Sequence, residues 1–258
     1  MSEKTKYALV TGGSRGIGRA VCIQLAKDSD YKILINYNSN ETAANETKVA
    51  VEAEGNKAEL LKFDVANAES VSKSLDAWQE SNPDAVIEVL VNNAGNAHGL
   101  STIQDGSVDD WDAMLDINVK GLLYVTKAIL PKMIENNTGF IVNIGSIAGK
   151  DVYRNGNVYC ASKFAVNALN KSMRLDLNEY NIRVSGIHPG LVQTEFSDVR
   201  FKGDKEKAKT VYQGYKALQA EDIADIIHFV VTRPYHVNIE DLVVYPTAQA
   251  SATMINKS

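Results

Sequence analysis

Short apolar runs recur along the chain, and each is followed by a longer stretch in which apolar positions return every three or four residues. The runs cover 7–10, 33–37, 60–63, 86–91, 140–144, 182–187 and 242–245. Most are apolar on consecutive positions and rich in Val, Ile and Leu. A strand reads this way when both of its faces are buried in a parallel sheet. The helical pattern fills 17–27, 41–53, 68–80, 108–135, 157–180 and 221–232. Strict alternation of strand and helix predicts right-handed crossovers and an α/β fold with a doubly wound, seven-stranded parallel sheet. No linker, repeat or biased tract interrupts the order, so 1–258 reads as a single domain. The stretch 193–220 departs from the rhythm and is rich in charge. It is read as an inserted lobe, mostly helical, close to the substrate. Ligands of such sheets bind beyond the carboxyl ends of the strands.

Composition narrows the classes. Lys and Arg total 27 against 32 Asp and Glu, a net charge of −5, and this mild acidity predicts no nucleic-acid footprint. Cys22 and Cys160 form neither a disulfide framework nor a zinc pattern and are read as small packed residues. His98, His188, His228 and His236 lack metal-ligand spacing, so no metal is expected; of these only His188, beside Pro189, could influence a site. Trp78 and Trp111 fall in helical patterns and are read as packing. The N-terminus MSEKTKYALV has no signal-peptide core, and no apolar run approaches membrane-spanning length. The expectation is a soluble cytoplasmic protein without a membrane partner.

The first strand runs into Thr11-Gly12-Gly13-Ser14-Arg15-Gly16-Ile17-Gly18, and a helix follows at once. Glycines there permit a tight turn and close approach of backbone to a pyrophosphate, while the helix N-terminus favours the anion. Three residues separate Gly12 from Gly16, where the commoner dinucleotide fingerprint has one. Tyr159 and Lys163 are four residues apart, so on a helix they share a face. A phenol ordinarily titrates near 10, and the ammonium of Lys163 is expected to pull that down toward the range useful for general acid–base catalysis. Ser146 follows a buried strand at the sheet's carboxyl edge, where its hydroxyl could polarise a substrate carbonyl. The second strand ends Asn36-Tyr37-Asn38-Ser39 with no carboxylate to accept ribose hydroxyls and repel a 2′-phosphate. Arg15 offers donors suited to phosphate, and Asn38 and Ser39 could add neutral bonds. The reading is NADP as cofactor.

The spacing TGxxxGxG, Asp64-Val65 after the third strand, Asn92-Asn93-Ala94-Gly95 after the fourth, Asn118, Ser146, Tyr159-Cys160-Ala161-Ser162-Lys163, and Pro189-Gly190 with Thr194 appear in order, most of them at a strand end. Over essentially its whole length the chain therefore resembles the short-chain dehydrogenase/reductases, which are Rossmann-type enzymes. The resemblance implies that Asn118, Ser146, Tyr159 and Lys163 form the catalytic group. It implies that Lys163 also holds the nicotinamide ribose, that Asn118 supports a water relay to Lys163, and that Asp64 and Val65 flank the adenine. Gly12, Ser14, Gly16, Ile17 and Gly18 would belong to the cofactor site, as would Asn92, Ala94, Gly95, Pro189, Gly190, Val192 and Thr194.

Two subfamilies are echoed. Residues from about 7 to 88, with ALVTGGSRGIGRAV and LLKFDV, are similar to 3-oxoacyl-[acyl carrier protein] reductases. From about 89 onward, GNVYCASKFAV, HPGLVQTEFSDVRFKGDKEKA and RPYHVNIEDLVVYPTAQ resemble NADP-dependent 3-hydroxy acid dehydrogenases, the group that includes serine and allo-threonine dehydrogenases. The second part carries the catalytic group and the lobe, so a small 3-hydroxy acid is the expected substrate. Its carboxylate needs a partner; Arg200 in the lobe and Arg154 before the catalytic helix are the candidates, with Lys202 and Lys205 behind them. The alternatives are a 3-oxoacyl thioester reductase, which would need a basic patch for its acidic carrier, and a non-catalytic NADP-binding regulator. The helix bearing Tyr159 carries Ala161, Ala165 and Ala168, and the tail VVYPTAQASATM is apolar enough to be covered. By family resemblance a homotetramer is expected.

Overall fold

A computed structural model describes residues 4–28 and 30–257, apart from the Asp28 side chain. Seven strands form one sheet: β1 (Thr5–Val10), β2 (Lys32–Tyr37), β3 (Ala58–Lys62), β4 (Ala85–Asn92), β5 (Gly139–Ile144), β6 (Ile182–Pro189) and β7 (Asp241–Val244). Their order is β3-β2-β1-β4-β5-β6-β7 and every pairing is parallel. The chain reverses its winding between β1 and β4, which is the switch point where such sheets open a ligand crevice.

The apolar runs explain the two layers. In β1, Ala8 and Val10 face one cluster while Tyr7 and Leu9 face the other, because successive side chains point to opposite sides. The first side is covered by α1 (Gly16–Asp28), α2 (Glu41–Ala53) and α9 (Ala220–Val231) through Val21, Leu25, Val51, Ile223 and Ile227. The second is covered by α3 (Ala68–Ser81), α5 (Leu122–Glu135) and α6 (Asn157–Asp176) through Val71, Leu75, Val125, Ile129 and Met173. Trp78 packs edge-on against Tyr7, and its indole N–H donates to Glu59 at 3.1 Å.

Three expected elements differ. The single helix over 108–135 is broken: α4 (Val108–Leu115) passes into a π-helical turn, Asp116–Gly121, before α5 begins. The wider turn accommodates Asn118, whose amide is tied to the loop after β4 instead of to solvent. The helix expected to reach 180 ends at Asp176, followed by a 3₁₀ turn over Asn178–Tyr180 and by Asn181 in the left-handed region. The lobe is not mostly helical. It holds two short helices, α7 (Phe196–Arg200) and α8 (Lys205–Thr210), joined by turns; its charged residues suit solvent, not a packed helical face.

Candidate active site

A cleft of about 610 Å³ lies along the carboxyl edge of the sheet. The carboxyl ends of the first six strands, or the segments just after them, all contribute to it: Gly12 and Ser14–Ile17, Tyr37–Asn40, Phe63–Val65, Asn93–Asn96, Ile144–Ala148 and Pro189–Val192.

At one end is the glycine loop. Gly12 and Gly16 have φ of +62° and +53°, a region costly for residues with a Cβ. Gly18 lies outside the lining; a Cβ on it would stand 2.3 Å from the Gly12 carbonyl oxygen. It therefore lets α1 pack against its own loop. The loop is further pinned by the Gly12 N–H donating to Asn36 Oδ1 at 3.0 Å, and by Thr11 Oγ1 accepting from the N–H groups of Asn93 and Ala94, both at 3.0 Å. Ser14, Arg15, Asn38, Ser39, Asp64 and Val65 all border this end. Arg15 is exposed, whereas Arg19, a turn later, is spent on Ser14, Ala43, Thr47 and Glu46 and braces α1 against α2. Of the cofactor residues named from sequence, Asn92 is misplaced. Its amide points into the fold, donating to Thr126 at 2.9 Å and Asn143 at 3.0 Å, and Asn93 is the wall residue. Alternation along β4 decides this: a shift of one residue moves a side chain to the other face.

Ser146 and Tyr159 line the middle of the cleft, whereas Lys163 and Asn118 are buried behind it and are not on its wall. The Ser146 hydroxyl accepts from the Ala148 N–H at 3.0 Å, which leaves its own proton to give. Lys163 is only 6% exposed, and its Nζ donates to the Ile144 carbonyl at 3.0 Å. Burial lowers its pKa from 10.5 to about 8. Asn118, 2% exposed, donates to the Asn96 carbonyl (2.9 Å) and Ser162 Oγ (3.0 Å) and accepts from the Asn96 N–H (2.8 Å). A Cβ on Gly95 would stand 3.2 Å from Asn118 Oδ1 and 3.5 Å from Lys163 Nζ, so both groups border the space over Gly95.

The expected tuning of Tyr159 by Lys163 does not appear. Burial pushes the phenol well above its usual range, neighbouring Tyr153 adds to this, and the opposing influences are a hydrogen bond with Ser146 and the charge of Arg200. The Arg200 guanidinium carbon lies 5.6 Å from the Tyr159 ring centre, within cation–π range.

Arg200 lies on the lining with Phe196, whose ring centre is 5.9 Å from that of Tyr159. Arg154 is on the rim, exposed. Lys202 is turned away and pairs with Asp110 at 3.0 Å. His188 is buried, near Asp241 (3.4 Å), which also pairs with Lys150; burial and the Lys150 charge hold its pKa down. It backs the segment carrying Ser146 and does not line the cleft. Among the described residues no cluster of side chains is suited to a metal.

Sequence reasoning missed Tyr153, Asn96, His98 and Gln249. Gln249 is the clearest. It is a buried polar residue in the apolar tail; its Oε1 accepts from the Leu191 N–H at 2.9 Å, and with Ala252 it closes the cleft beside Gly190. A glutamine in an apolar segment was the only signal available.

The family model for short chain dehydrogenases matches residues 6–205. The chain belongs to the short-chain dehydrogenase family. This short-chain dehydrogenase is 37% identical over 253 residues to an NADP-dependent 3-hydroxy acid dehydrogenase of Schizosaccharomyces pombe, covering 97% of this chain and 96% of that protein. It is 40% identical over 245 residues to the protein of the same description from Escherichia coli K12, covering 95% and 96%. These matches run through the first part of the chain as well as the second. Among solved structures, the closed form of a serine dehydrogenase complexed with NADP+ superposes with a TM-score of 0.89 at 38% identity, covering 96% of this chain and 98% of that one. No helix among the described residues is long and apolar enough to cross a membrane.

Proposed function

We propose that this short-chain dehydrogenase is an NADP-dependent enzyme that interconverts a hydroxyl and a carbonyl at C3 of small 3-hydroxy acids, with serine and allo-threonine in the candidate class. The observation that carries the reading is a cleft with a glycine loop at one end and, at the other, a guanidinium set against the ring of a half-buried tyrosine. The relatives named above support the same class.

The residues at the first end fit a dinucleotide carrying a 2′-phosphate. Gly12 and Gly16 leave a cradle that side chains would fill, Arg15 stands exposed at its mouth, and Tyr37–Asn40 supply only neutral groups. Ser14, Ile17, Asp64, Val65, Ala94, Gly95, Pro189, Gly190, Val192 and Thr194 would complete the hold. Bound NADP supplies or accepts the hydride at C3.

The chain's own groups do the rest. Tyr159 gives its proton to the carbonyl oxygen in reduction and takes it from the hydroxyl in oxidation. Ser146, with a proton to give, hydrogen-bonds the same oxygen. Lys163 holds a positive charge below about pH 8 behind the ring of reacting groups, and Asn118 fixes the loop carrying Asn96 beside it. Arg200 receives the substrate carboxylate. Two of its five N–H groups are engaged, by Tyr153 and Gly99, which leaves three for a paired grip. Arg154 on the rim is the second candidate.

A panel of L-serine, L-allo-threonine, 3-hydroxyisobutyrate, 3-hydroxypropionate and an acetoacetyl thioester, each with NADP(H) and NAD(H), tests the reading. Turnover of at least one free acid with NADP, and poor turnover of the thioester, is expected. Preference for the thioester would replace the proposal with a 3-oxoacyl reductase.

A further inference from the structure

Arg200 has a long side chain on a lobe built of short helices and turns, so left alone it would explore many rotamers and lose that freedom on binding. Its position is set from outside the lobe. Nη2 donates to the Tyr153 hydroxyl at 2.9 Å, and the guanidinium carbon lies 5.5 Å from the centre of the Tyr153 ring, almost the same distance as from Tyr159. Nε reaches the Gly99 carbonyl at 3.4 Å, a weaker contact, while the Gly99 N–H donates to the Arg200 carbonyl at 3.0 Å. Gly99 therefore holds mainly the backbone, and Tyr153 holds the side chain.

Tyr153 is itself placed by the turn that leads into α6. The Gly156 N–H donates to the Tyr153 carbonyl at 3.0 Å. A Cβ on Gly156 would stand 2.3 Å from Cε2 and 2.5 Å from Cζ of the Tyr153 ring. Gly156 has φ of −89°, a backbone open to any residue, so the glycine is needed for the ring and not for the turn. Six residues later the same stretch presents Tyr159. The anchor's support and the proton donor thus hang from one short segment, and their spacing does not depend on how the lobe sits. The Tyr153 hydroxyl accepts from the guanidinium, so it bears on Arg200 itself.

We propose that Tyr153 is a positioning residue: it fixes the Arg200 guanidinium against Tyr159, so that a carboxylate gripped by Arg200 brings C3 to the Tyr159 phenol. The proposal rests on the reading of Arg200 as the carboxylate anchor, and the test separates the two.

The best free acid of the panel and its methyl ester are compared as substrates for wild type, Tyr153→Phe, Arg200→Ala, the double variant and Gly156→Ala, with NADP affinity from fluorescence titration as a check on folding. Tyr153→Phe keeps the ring and removes the hydroxyl. Its kcat/KM for the acid should fall about tenfold, the scale of one hydrogen bond to a charged group, with kcat reduced as well as KM raised because orientation is lost. The ester should stay within about twofold. On the Arg200→Ala background the same change should leave the acid-to-ester ratio where it is. Gly156→Ala displaces the ring without removing a polar group and should show the same acid-selective loss.

If Arg200→Ala leaves the acid-to-ester ratio unchanged, the anchor has been misassigned and the role of Tyr153 falls with it. If Arg200→Ala lowers the ratio but Tyr153→Phe does not, the anchor stands and only the positioning role is overturned. Equal losses for acid and ester in Tyr153→Phe, or an acid-selective loss that persists without Arg200, would also overturn it.

Discussion

Lys163 makes a quantitative test of the site possible without any substrate. Its ammonium is buried, its one side-chain bond is to the Ile144 carbonyl at 3.0 Å, and burial alone accounts for a pKa that falls from 10.5 to about 8. That difference corresponds to about 3 kcal/mol of stability given up by the ligand-free fold while the side chain is charged. Replacing Lys163 with Met removes the buried charge and also the bond to Ile144, which offsets about 1 kcal/mol. Lys163→Met should therefore be more stable than wild type by about 2 kcal/mol near pH 7, and inactive. The pH dependence is the sharper part. Between about pH 8 and 10.5 the unfolded lysine is protonated and the folded one is not. The unfolded state then binds more protons, so wild-type stability rises with pH relative to the variant. The stability difference should be constant below pH 8 and shift by about 3 kcal/mol in favour of wild type by pH 10.5. Urea unfolding at pH 7, 8, 9 and 10, at one fixed protein concentration because association would enter the equilibrium, reads it directly. A difference that does not change across this range would refute the assignment of Lys163 as a desolvated, unpaired cation.

Three further outcomes follow from the same geometry. Tyr159→Phe should lose about 10²–10⁴-fold in kcat with NADP affinity retained, since the glycine loop is untouched; retention of a tenth of wild-type kcat would show that another group moves the proton. Arg15→Ala should lower the NADP-to-NAD ratio of kcat/KM about tenfold or more, the scale of a lost charge-assisted bond; steady-state kinetics with both cofactors decides, and an unchanged ratio would move phosphate recognition elsewhere. The exposed Leu115, Leu123, Phe164 and Leu175 lie on α4, α5 and α6, and light scattering at micromolar concentration should give the mass of a tetramer; a monomer mass would mean that these faces stay in water.

Much was legible in the chain because it depends on local pattern. Short consecutive apolar runs rich in Val and Ile read as strands buried on both faces, and their alternation with helical periodicity pointed to one class of fold. The positions of the glycine loop, Ser146 and Tyr159 along the cleft were legible because each depends on residue type or on its place near the end of a strand or the start of a helix. What stayed hidden depends on contacts between segments distant in sequence. The π turn at Asn118 forms because that amide bonds the loop after β4, 22 residues away. Asn92 and Asn93 are indistinguishable until the register of β4 sends one inward. Sequence spacing put the Lys163 charge beside Tyr159, yet the long side chain reaches past it to Ile144, and the cation over the phenol comes from a lobe 41 residues downstream. Side-chain direction and long-range pairing are set by packing, and packing exists only once the chain has closed on itself.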